Sequence, residues 1–321
     1  VILTREAPLG EVGMLRSDDN VFLGQRLVSY RADPKRLDAA FLLYSLCTDD
    51  LKGQIKAFGS GSTVEHMRVP DAKRLMLSLP PLPTQRRIAA ILSAYDDLIE
   101  NNTRRIAIVE EMARRLYEEW FVHFRFPGHE GVEFDHDRGH HYPRGWQRGL
   151  LSNYIELSYG KALKASERKE GAVPVYGSSG VVGFHNQSLV DGPGIIVGRK
   201  GNVGSVFWSE EPFYPIDTVY FVQTDLPLEY VYFNLKRQNF LNNDAAVPGL
   251  SRRHAYSLPF VRPPDELLQS FVTYSQPLFA LQQVWEDKNT NLRAQRDLLL
   301  PKLVSGEIDV SEAEAVLEAA E

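Results

Sequence analysis

The 321-residue sequence contains a single cysteine, Cys47, and no apolar run long enough to cross a membrane. One thiol cannot form an internal disulfide, so the chain fits a reducing compartment better than the secreted, disulfide-stabilised classes. Its longest apolar runs, such as Ile88–Leu92, are far shorter than the about 20 residues that a transmembrane helix needs. No charged segment followed by an apolar one opens the chain, so no secretory signal is expected. These absences predict a cytoplasmic protein with no membrane partner.

Motifs of nucleotide-dependent catalysis are also missing. No Gly-x-x-x-x-Gly-Lys-Ser/Thr loop is present, so ATP binding through a P-loop is not expected. The sequence has neither the Asn-Pro-Pro-aromatic motif of an amino-methyltransferase nor a glycine-rich motif for S-adenosylmethionine. Gly198, Gly201 and Gly204 have the wrong spacing for a nucleotide loop and lie between strand-like runs, which favours tight turns. The chain is therefore predicted to have no catalytic site and no cofactor of its own.

A histidine- and aspartate-rich segment raises the question of a metal site. The segment lies in a Gly/Pro-rich linker, contains no cysteine and lacks helical i, i+4 geometry, so a solvated linker without a metal is the preferred interpretation. The residues concerned are His129, Asp135, His136, Asp137, His140 and His141.

The net charge of −6, taken alone, argues against nucleic-acid binding. Its distribution weakens that argument. Residues 1–79 carry 11 basic and 10 acidic side chains, and residues 144–262 carry 13 and 10. Residues 80–143 carry 8 and 11, and residues 263–321 carry 4 and 11. Contacts to phosphates are therefore expected in the two neutral to basic blocks.

The same order of features occurs twice, roughly 185–195 residues apart, which is too long for a solenoid repeat. Residues 40–43 match residues 232–235, and residues 59–63 match residues 247–251. Each copy then reaches a Pro-Pro pair and a long helix-forming stretch. Such duplication suggests pseudo-twofold symmetry and two related reading heads. The opening matches are Arg5 with Arg199, Gly10 with Gly204, and Val12 with Val206.

Both copies are predicted to mix strands and helices, which gives a mixed α/β fold class. Runs of β-branched and aromatic residues predict strands at Gly194–Val197, Val203–Trp208 and Thr218–Val222. Helical patterns cover Asp38–Leu51 in the first copy and Leu228–Leu241 in the second.

From Thr84 to about Phe124 the apolar residues follow a seven-residue repeat over five heptads. Alternating spacings of four and three predict a coiled-coil seam, and at 1.5 Å per residue the stretch would extend roughly 60 Å. Asn102 either sets the register of this seam or occupies an exposed position. The two rows are Ile88, Tyr95, Asn102, Val109 and Leu116, and Leu92, Ile99, Ile106, Ala113 and Trp120.

A second helix is predicted from Asp265 to about Lys302. The lengths of the two helices favour mutual pairing as an antiparallel spacer, and packing of both into a globular core is the alternative. The inward row of the second helix is predicted to be Phe271, Leu278, Trp285, Leu292 and Leu299. Its companion row, which becomes polar, is Leu267, Tyr274, Leu281, Lys288 and Gln295.

Six segments, by their order and spacing, resemble motifs of the specificity subunits of Type I restriction–modification enzymes. Together they cover essentially the whole chain. They resemble, in turn, the start and the exit of a central conserved helix, the entry to a second target-recognition domain, two motifs inside that domain, and the end of a distal conserved helix. The segments are Leu79–Ala89, Trp120–Gly128, Tyr142–Trp146, Tyr176–Gly180, Gly198–Gly204 and Leu299–Ile308.

The resemblance implies two target-recognition domains held apart by paired helices, each domain reading half of a bipartite sequence in double-stranded DNA. Two adenine methyltransferase subunits would dock on this frame, and ATP-dependent translocase–nuclease subunits would join them. S-adenosylmethionine, ATP and Mg would then bind to those partners, and this chain would not be an enzyme.

The resemblance also implies a division of the chain. The expected parts are the C-terminal portion of the first recognition domain at 1–79, the central helix at 80–128, a linker with the second recognition domain at 129–262, the distal helix at 263–308 and an acidic tail at 309–321. The second module begins near Tyr142, about fifty residues before Arg199, whereas the first begins almost on Arg5. About fifty residues of the first domain are therefore expected to be missing.

We expect Lys and Arg to contact phosphates and polar side chains to read base edges. Arg252–His254 follows a Gly-Leu-Ser turn and is expected to project from a loop, whereas Arg199 could instead pair with Asp217 as a structural residue. For every candidate a solvated surface charge is the alternative. The first choices in the second domain are Arg199, Lys200, Asn202, Arg252, Arg253 and His254, followed by Lys161, Tyr176, Ser178 and Ser179. Candidates in the first domain are Arg5, Arg26, Thr63, His66 and Arg68.

The alternative function is a coiled-coil adaptor that joins proteins and never touches DNA. The acidic total charge favours an adaptor, and the duplicated basic modules oppose it.

Overall fold

The structure, a computed structural model, describes the chain apart from residues 16–20, 62–64, 138–139, 241–248 and 311–321, and the side chains of residues 136–140. The chain forms two compact units. The first unit contains residues 1–105 and 285–321, and the second unit contains residues 106–284.

The first unit begins with three strands and three short helices, followed by a long helix whose residues 82–105 belong to it. These elements are β1 (Ile2–Arg5), β2 (Leu9–Gly13), β3 (Leu27–Ser29), α1 (Ala39–Leu46), α2 (Asp49–Ala57), α3 (Val69–Ala72) and α4 (Leu82–Phe121). The strands form one antiparallel sheet in the order β2-β1-β3.

The described residues of the second unit form eleven strands, two short α-helices, three 3-10 turns and residues 265–284 of a second long helix. Its first strands are β4 (Phe134–Asp137), β5 (His140–Pro143), β6 (Gln147–Leu150), β7 (Glu156–Tyr159), β8 (Val173–Gly177) and β9 (Gly180–His185). The remaining elements are β10 (Gly194–Gly198), β11 (Val206–Ser209), β12 (Tyr214–Pro215), β13 (Val219–Gln223), α5 (Leu228–Arg237), α6 (Arg252–Tyr256), β14 (Pro259–Arg262) and α7 (Asp265–Ser305).

Four sheets form in the second unit. The largest is antiparallel with the order β11-β10-β13-β7, and a three-stranded mixed sheet has the order β12-β8-β9. The pairs β14-β6 and β4-β5 complete the set among the described residues. Together with the long helices, these sheets confirm the mixed α/β fold class.

Three predicted elements have different boundaries in the structure. Asp38–Leu51 forms two helices because Thr48 has extended backbone dihedrals, which cannot continue an α-helix, and its hydroxyl donates to the Ser45 carbonyl at 2.7 Å. Val203–Trp208 becomes a strand only at Val206, because the residues before it form a turn. The helix predicted to reach residue 241 ends at Arg237.

A hairpin, β4-β5, occupies part of the segment that was expected to be a solvated linker. The Phe134 ring stacks on the His141 ring at 4.2 Å between centroids. Phe124 packs edge-on against Phe134 and Tyr142, at 5.9 and 5.7 Å. The aromatic residues supply packing that a solvated linker lacks, which is why the segment forms paired strands.

The core of the first unit lies where α1 and the two long helices meet. Phe41 from α1 is buried against Ile88 and Leu92 of α4, and Leu303 of α7 completes this cluster. Each of these side chains is large and nearly inaccessible to solvent. Their burial fixes α1 against the helix pair.

The core of the second unit is mainly aromatic. Tyr117 and Phe121 of α4 pack against Tyr230 of α5 and Phe271 of α7, with ring centroids 4.8 to 6.2 Å apart. Aromatic pairs in tilted and edge-on arrangements add to the free energy of simple apolar burial. The strands β10 and β13 contribute buried residues to the same cluster.

Within each unit, the parts of α4 and α7 that belong to it run antiparallel. In the first unit, Asn102 meets Asn289 through a 3.1 Å side-chain hydrogen bond, while earlier residues of α4 pack against Leu303. In the second unit, Trp120 packs against Phe271 at 6.0 Å between ring centroids. The helices therefore pair along their length and also contribute to each core. Mutual pairing, which was predicted, and packing into a globular core, which was the alternative, both occur.

The predicted rows of α4 and the row from Phe271 to Leu299 are buried or half-buried throughout. The companion row of α7 lies one residue later than predicted, because Tyr274 and Leu281 are exposed. The hydrophobic pattern predicted this row one residue too early, because four of the six residues that occupy it in the structure are polar. The observed row is Leu268, Ser275, Gln282, Asn289, Arg296 and Leu303.

The repeat is visible in the topology of the two units. The order β2-β1-β3 corresponds to β11-β10-β13, and α1, α3 and α4 follow as α5, α6 and α7 do. The Met67 N–H donates to the Arg5 carbonyl at 2.9 Å, and the Leu250 N–H donates to the Arg199 carbonyl at 2.8 Å. Met67 therefore corresponds to Leu250, and the match of residues 59–63 with 247–251 is wrong by five residues.

Candidate nucleic-acid interface

A tight turn after β10 presents three of the candidate residues in the second unit. Gly201 and Gly204 both have φ of +79°, a left-handed conformation that favours glycine. The Gly204 N–H donates to the Gly198 carbonyl at 2.9 Å, which closes the turn. Lys200 and Asn202 are exposed at its tip. The prediction of a tight turn is therefore confirmed.

Arg199 begins this turn and meets Arg252 at one aromatic ring. The guanidinium carbons of Arg199 and Arg252 lie 4.9 and 4.0 Å from the centroid of the Tyr159 ring. The Tyr220 ring lies behind, 5.8 and 5.9 Å from the same two groups. We call these four residues the arginine–tyrosine cluster. Stacking of guanidinium on an aromatic face is attractive and fixes the plane of the guanidinium.

Arg252 stands in the first turn of helix α6 rather than in a projecting loop. The Ser251 hydroxyl accepts a hydrogen bond from the His254 N–H at 3.2 Å and caps this helix. Arg253 is exposed on the helix, whereas Nε2 of His254 and Nε of Arg252 are buried without a hydrogen-bond partner. The loop prediction for this segment is wrong because the serine cap starts a helix directly after the turn.

The turn between β8 and β9 packs against the glycine turn. Ser178 accepts a hydrogen bond from the Asn202 N–H at 3.4 Å through its hydroxyl, and its carbonyl accepts one from the Ser205 hydroxyl at 2.7 Å. Ser179 is exposed beside it. Tyr176, by contrast, is buried and its ring packs on Phe213 at 5.7 Å, so this candidate belongs to a core.

Lys161 lies two residues after Tyr159 and is exposed. Its N–H donates to the Pro215 carbonyl at 3.0 Å, which holds the chain against the loop that leads into β13. Gly160 is required between them, because a Cβ there would collide with the carbonyl of Ile216. The backbone therefore fixes the position from which Tyr159 projects.

The two arginines of the cluster differ from arginines such as Arg114 and Arg125, which form ion pairs with glutamates. Arg199 donates from Nη1 to the Asp217 backbone carbonyl at 2.9 Å, not to the Asp217 carboxylate as the structural alternative had it. In the part of the chain that the structure describes, neither Arg199 nor Arg252 forms an ion pair with a carboxylate. Burial raises the pKa of Tyr220 to about 12, and its hydroxyl donates to the Leu250 carbonyl at 3.0 Å.

The equivalent positions of the first unit are more strongly paired. Arg26 lies 3.6 Å from Glu6, and Arg68 lies 2.9 Å from Asp71, both as ion pairs. Arg5 is half-buried at the end of β1, and its Nε has no hydrogen-bond partner. The structure brings Arg5, Arg26 and Arg68 near this end of the sheet.

Two candidates of the first unit remain, His66 and Thr63. His66 forms backbone bridges with Glu6 and Ser60. Thr63 lies outside the described residues.

Comparisons with known proteins agree with this geometry. Residues 1–111 match the model of the Type I restriction modification DNA specificity domain. The chain is 24% identical to the MjaIX specificity subunit of Methanocaldococcus jannaschii, over 97% of this chain and 78% of that protein. It is 21% identical to the HindI specificity subunit of Haemophilus influenzae, over 90% of this chain and 82% of that protein.

A solved structure supports the fold. The crystal structure of the Type I restriction–modification S subunit from M. genitalium aligns with a TM-score of 0.53 and 21% sequence identity, covering 94% of this chain and 82% of that one. The motifs, the family model and the relatives all indicate similarity to Type I specificity subunits. Nearly the whole chain is similar to specificity subunits of Type I restriction–modification enzymes, at 24% and 21% identity. The matched family model is that of a DNA specificity domain, so the similarity indicates a role in DNA specificity.

Sequence reasoning missed Tyr159, Tyr220 and Thr218. The Thr218 carbonyl accepts hydrogen bonds from the N–H groups of Arg199 and Lys200, at 2.9 and 3.1 Å, and so anchors the start of the turn. Tyrosines at strand ends resemble ordinary sheet residues in a sequence. Only the register of β7 against β13, which places Tyr159 directly opposite Tyr220, reveals the cluster.

The described residues contain no helix that is both long and apolar enough to span a membrane. They also contain no group of three or more His, Cys, Asp or Glu side chains arranged to hold a metal ion. His136, Asp137 and His140, which belong to the histidine- and aspartate-rich segment, have side chains outside that description.

Proposed function

We propose that this chain is a specificity subunit that reads a bipartite sequence in double-stranded DNA, with one half recognised by each unit. The observation that carries the proposal is the arginine–tyrosine cluster, which holds two arginines that pair with no carboxylate of the described residues, beside an exposed, polar turn. The equivalent backbone frame in the first unit supports a second recognition surface of the same origin.

The residue types around the cluster suit a duplex. Lys200 and Arg253 are exposed next to Arg199 and Arg252 in sequence, and cations grouped in this way neutralise phosphates and release counterions. Asn202 and Ser179 are exposed polar side chains of the kind that donate to and accept from base edges in the grooves. Phosphate and base contacts are therefore available on one surface of the second unit.

Methyltransferase subunits are the proposed partners of the helix pair. In the second unit, Ile108 and Met112 lie one helical turn apart on α4 and are 59% and 52% exposed. Exposed apolar side chains on a neighbouring helical face are typical of a surface that a partner covers. All catalysis is assigned to the partners, with S-adenosylmethionine on the methyltransferase subunits and ATP and Mg on the translocase–nuclease subunits.

The proposed function is tested by mapping adenine methylation in cells that express the chain together with its methyltransferase subunits. A two-part methyladenine motif that appears only when the chain is present is expected. A single half-site, or its palindrome, would limit DNA reading to one unit. Unchanged methylation, despite a stable complex with the methyltransferase, would contradict the DNA-reading role and favour the adaptor function.

Partner docking is tested by Ile108→Glu and Met112→Glu. We expect loss of co-purification with the methyltransferase subunits, because each substitution places a charge on the apolar face. Met76→Glu is the matched control, since Met76 is exposed in the first unit and lies outside both long helices. Equal recovery of the complex with all three variants would assign the partner to another surface.

A further inference from the structure

The arginine–tyrosine cluster brings two like charges to one ring. Both guanidinium groups lie within 5 Å of the Tyr159 centroid, at 4.9 and 4.0 Å, although Arg199 follows β10 and Arg252 belongs to α6. The two guanidinium carbons are therefore at most about 9 Å apart, close enough for their like charges to repel, most strongly where solvent is partly excluded. Their convergence therefore needs a reason beyond local packing.

Among the described residues, the hydrogen bonds of the two arginines leave some donors unused. Arg199 donates one N–H group to the Asp217 carbonyl at 2.9 Å. Arg252 has a buried Nε without a partner, and neither residue forms an ion pair within the described part of the chain. Elsewhere Arg114 is paired with Glu111 and Glu118, at 2.7 and 2.5 Å. The cluster thus presents concentrated positive charge that no described carboxylate neutralises.

The chemistry that fits two converging guanidinium groups is a phosphodiester. Its unesterified oxygens accept several hydrogen bonds, and its negative charge would relieve the repulsion between the two arginines. Reading of a guanine, by contrast, uses one guanidinium in a bidentate contact and requires no second arginine at the same point. The arrangement favours contact with the DNA backbone over contact with a base.

Tyr159 is well placed to hold this arrangement. It is the last residue of β7, paired directly opposite the buried Tyr220, with the two rings 5.0 Å apart. Tyr159 is 49% exposed, so it contacts both arginines while about half of its surface remains open to solvent. Gly160 and the Pro215 contact of Lys161 fix the chain that follows.

We propose that Tyr159 is a positioning residue that aligns Arg199 and Arg252 as a clamp for a single DNA phosphate. The inference rests on the proposed function and adds a role to it: the cluster sets the affinity of the second unit and the register in which it docks, while neighbouring residues select the sequence. Removal of the ring releases both guanidinium groups from their fixed planes and weakens binding to every sequence alike.

The test uses the full chain in complex with its methyltransferase subunits and compares Tyr159→Ala with Tyr159→Phe. Binding to target and scrambled duplexes is measured over a range of salt concentrations. For Tyr159→Ala we expect a similar loss for both duplexes, about tenfold, and a log–log salt slope smaller by about one unit. Tyr159→Phe keeps the ring and should retain binding within about twofold, since guanidinium also stacks on phenylalanine.

Two further variants separate positioning from folding. Arg252→Lys keeps the charge but not the planar fork, so it should reproduce the uniform loss seen with Tyr159→Ala. Tyr274→Ala is the control, because Tyr274 is an exposed tyrosine of the same unit, outside the cluster, and should leave binding unchanged. The methylated sequence motif should be the same for all variants, at a lower rate of methylation for Tyr159→Ala and Arg252→Lys.

The clamp is overturned if Tyr159→Ala and Arg252→Lys leave affinity and salt slope unchanged. It is also overturned if they alter which base pairs are preferred at constant salt slope, since that result would make the cluster a base reader. Absence of salt-sensitive DNA binding by the unsubstituted complex would instead contradict the proposed function itself.

Discussion

The two units place an arginine at the same backbone position and surround it differently. Arg5 ends β1, and its neighbours Arg26 and Arg68 pair with Glu6 and Asp71. Arg199 follows β10 and shares an aromatic ring with Arg252. The first sheet ends at β3, whereas the second continues with β7, which supplies Tyr159. The backbone frame is the same in both units. The surrounding side chains decide whether the arginines on it pair with carboxylates of the described residues or stack on an aromatic ring.

The helix pair also differs between the units. In the second unit α4 and α7 meet through aromatic rings such as Trp120 and Phe271. In the first unit Asn102 meets Asn289, and Arg296 meets Asp96 at 2.6 Å. One half of the pair therefore depends on apolar burial and the other includes specific polar contacts, which are weaker in net free energy and more selective for register.

The largest effect is expected from Phe271→Ala, which removes a fully buried ring at the centre of the second core. We expect the free energy of unfolding to fall by about 3–5 kcal/mol, from lost apolar burial and the cavity left behind. Denaturant unfolding monitored by tryptophan fluorescence measures the change. Tyr274→Ala, a 58% exposed aromatic three residues later, is the control. Equal losses for the two variants would contradict this account of the core.

The polar half of the helix pair is tested by Asn102→Ala, which leaves the buried Oδ1 of Asn289 without the donor from which it accepts. The free energy of unfolding should fall by about 1–3 kcal/mol, the cost of an unsatisfied buried polar group. The double variant Asn102→Leu with Asn289→Leu should recover stability, because it removes both polar groups. Asn101→Ala, at the exposed neighbouring position, is the control. A stable single variant would show that the pair is not coupled.

The contrast between the two sets of arginines is tested by DNA binding of Arg252→Ala and Arg68→Ala. Loss of Arg252, which has no described carboxylate partner, should weaken binding about tenfold, equivalent to about 1.4 kcal/mol. Loss of Arg68 should have an effect below about threefold, because its charge is already paired with Asp71. Fluorescence anisotropy at fixed salt measures both. The reverse ranking would place the stronger DNA contacts in the first unit.

The smallest effect is expected in strongly alkaline solution. Burial raises the pKa of Tyr30 in the first unit to about 12 and raises that of Tyr230 in the second unit well above its usual value. A raised pKa in the folded state gives stability that is complete below the ordinary tyrosine pKa of about 10 and is lost as the pH rises through the folded value.

The second unit should lose more stability in alkali, because burial also raises the pKa of Tyr117 and Tyr220 there. Tyrosinate absorbance followed together with unfolding checks this order. Ionisation of these tyrosines at their ordinary pKa in the folded protein would contradict it.

Much of the fold was predictable from local pattern. The seven-residue repeat of α4 and the row from Phe271 to Leu299 locate the helix pair, because apolar side chains at these spacings share one helical face. The matches of Arg5 with Arg199 and of Gly10 with Gly204 locate the repeat, because a turn with positive φ selects glycine wherever it recurs.

The polar row of α7 was not predictable from hydrophobicity. Ser275 and Asn289 read as surface residues in a sequence, yet both are buried in the structure. Asn289 is satisfied by Asn102, which lies 187 positions away in sequence. A partner at that separation leaves no local signal, so only the packed helices identify it.

The sequence by itself determined the two long helices, the glycine turn and the resemblance to specificity subunits, because each rests on patterns among residues close together in the chain. Only the tertiary structure decided which arginines lack a carboxylate partner among the described residues. Arg199, Arg252 and Tyr159 come from a turn, a helix and an edge strand, and they meet only because β7 pairs with β13 and Leu250 is bonded to the Arg199 carbonyl. Long-range main-chain hydrogen bonds fix that meeting, and no short stretch of sequence encodes it.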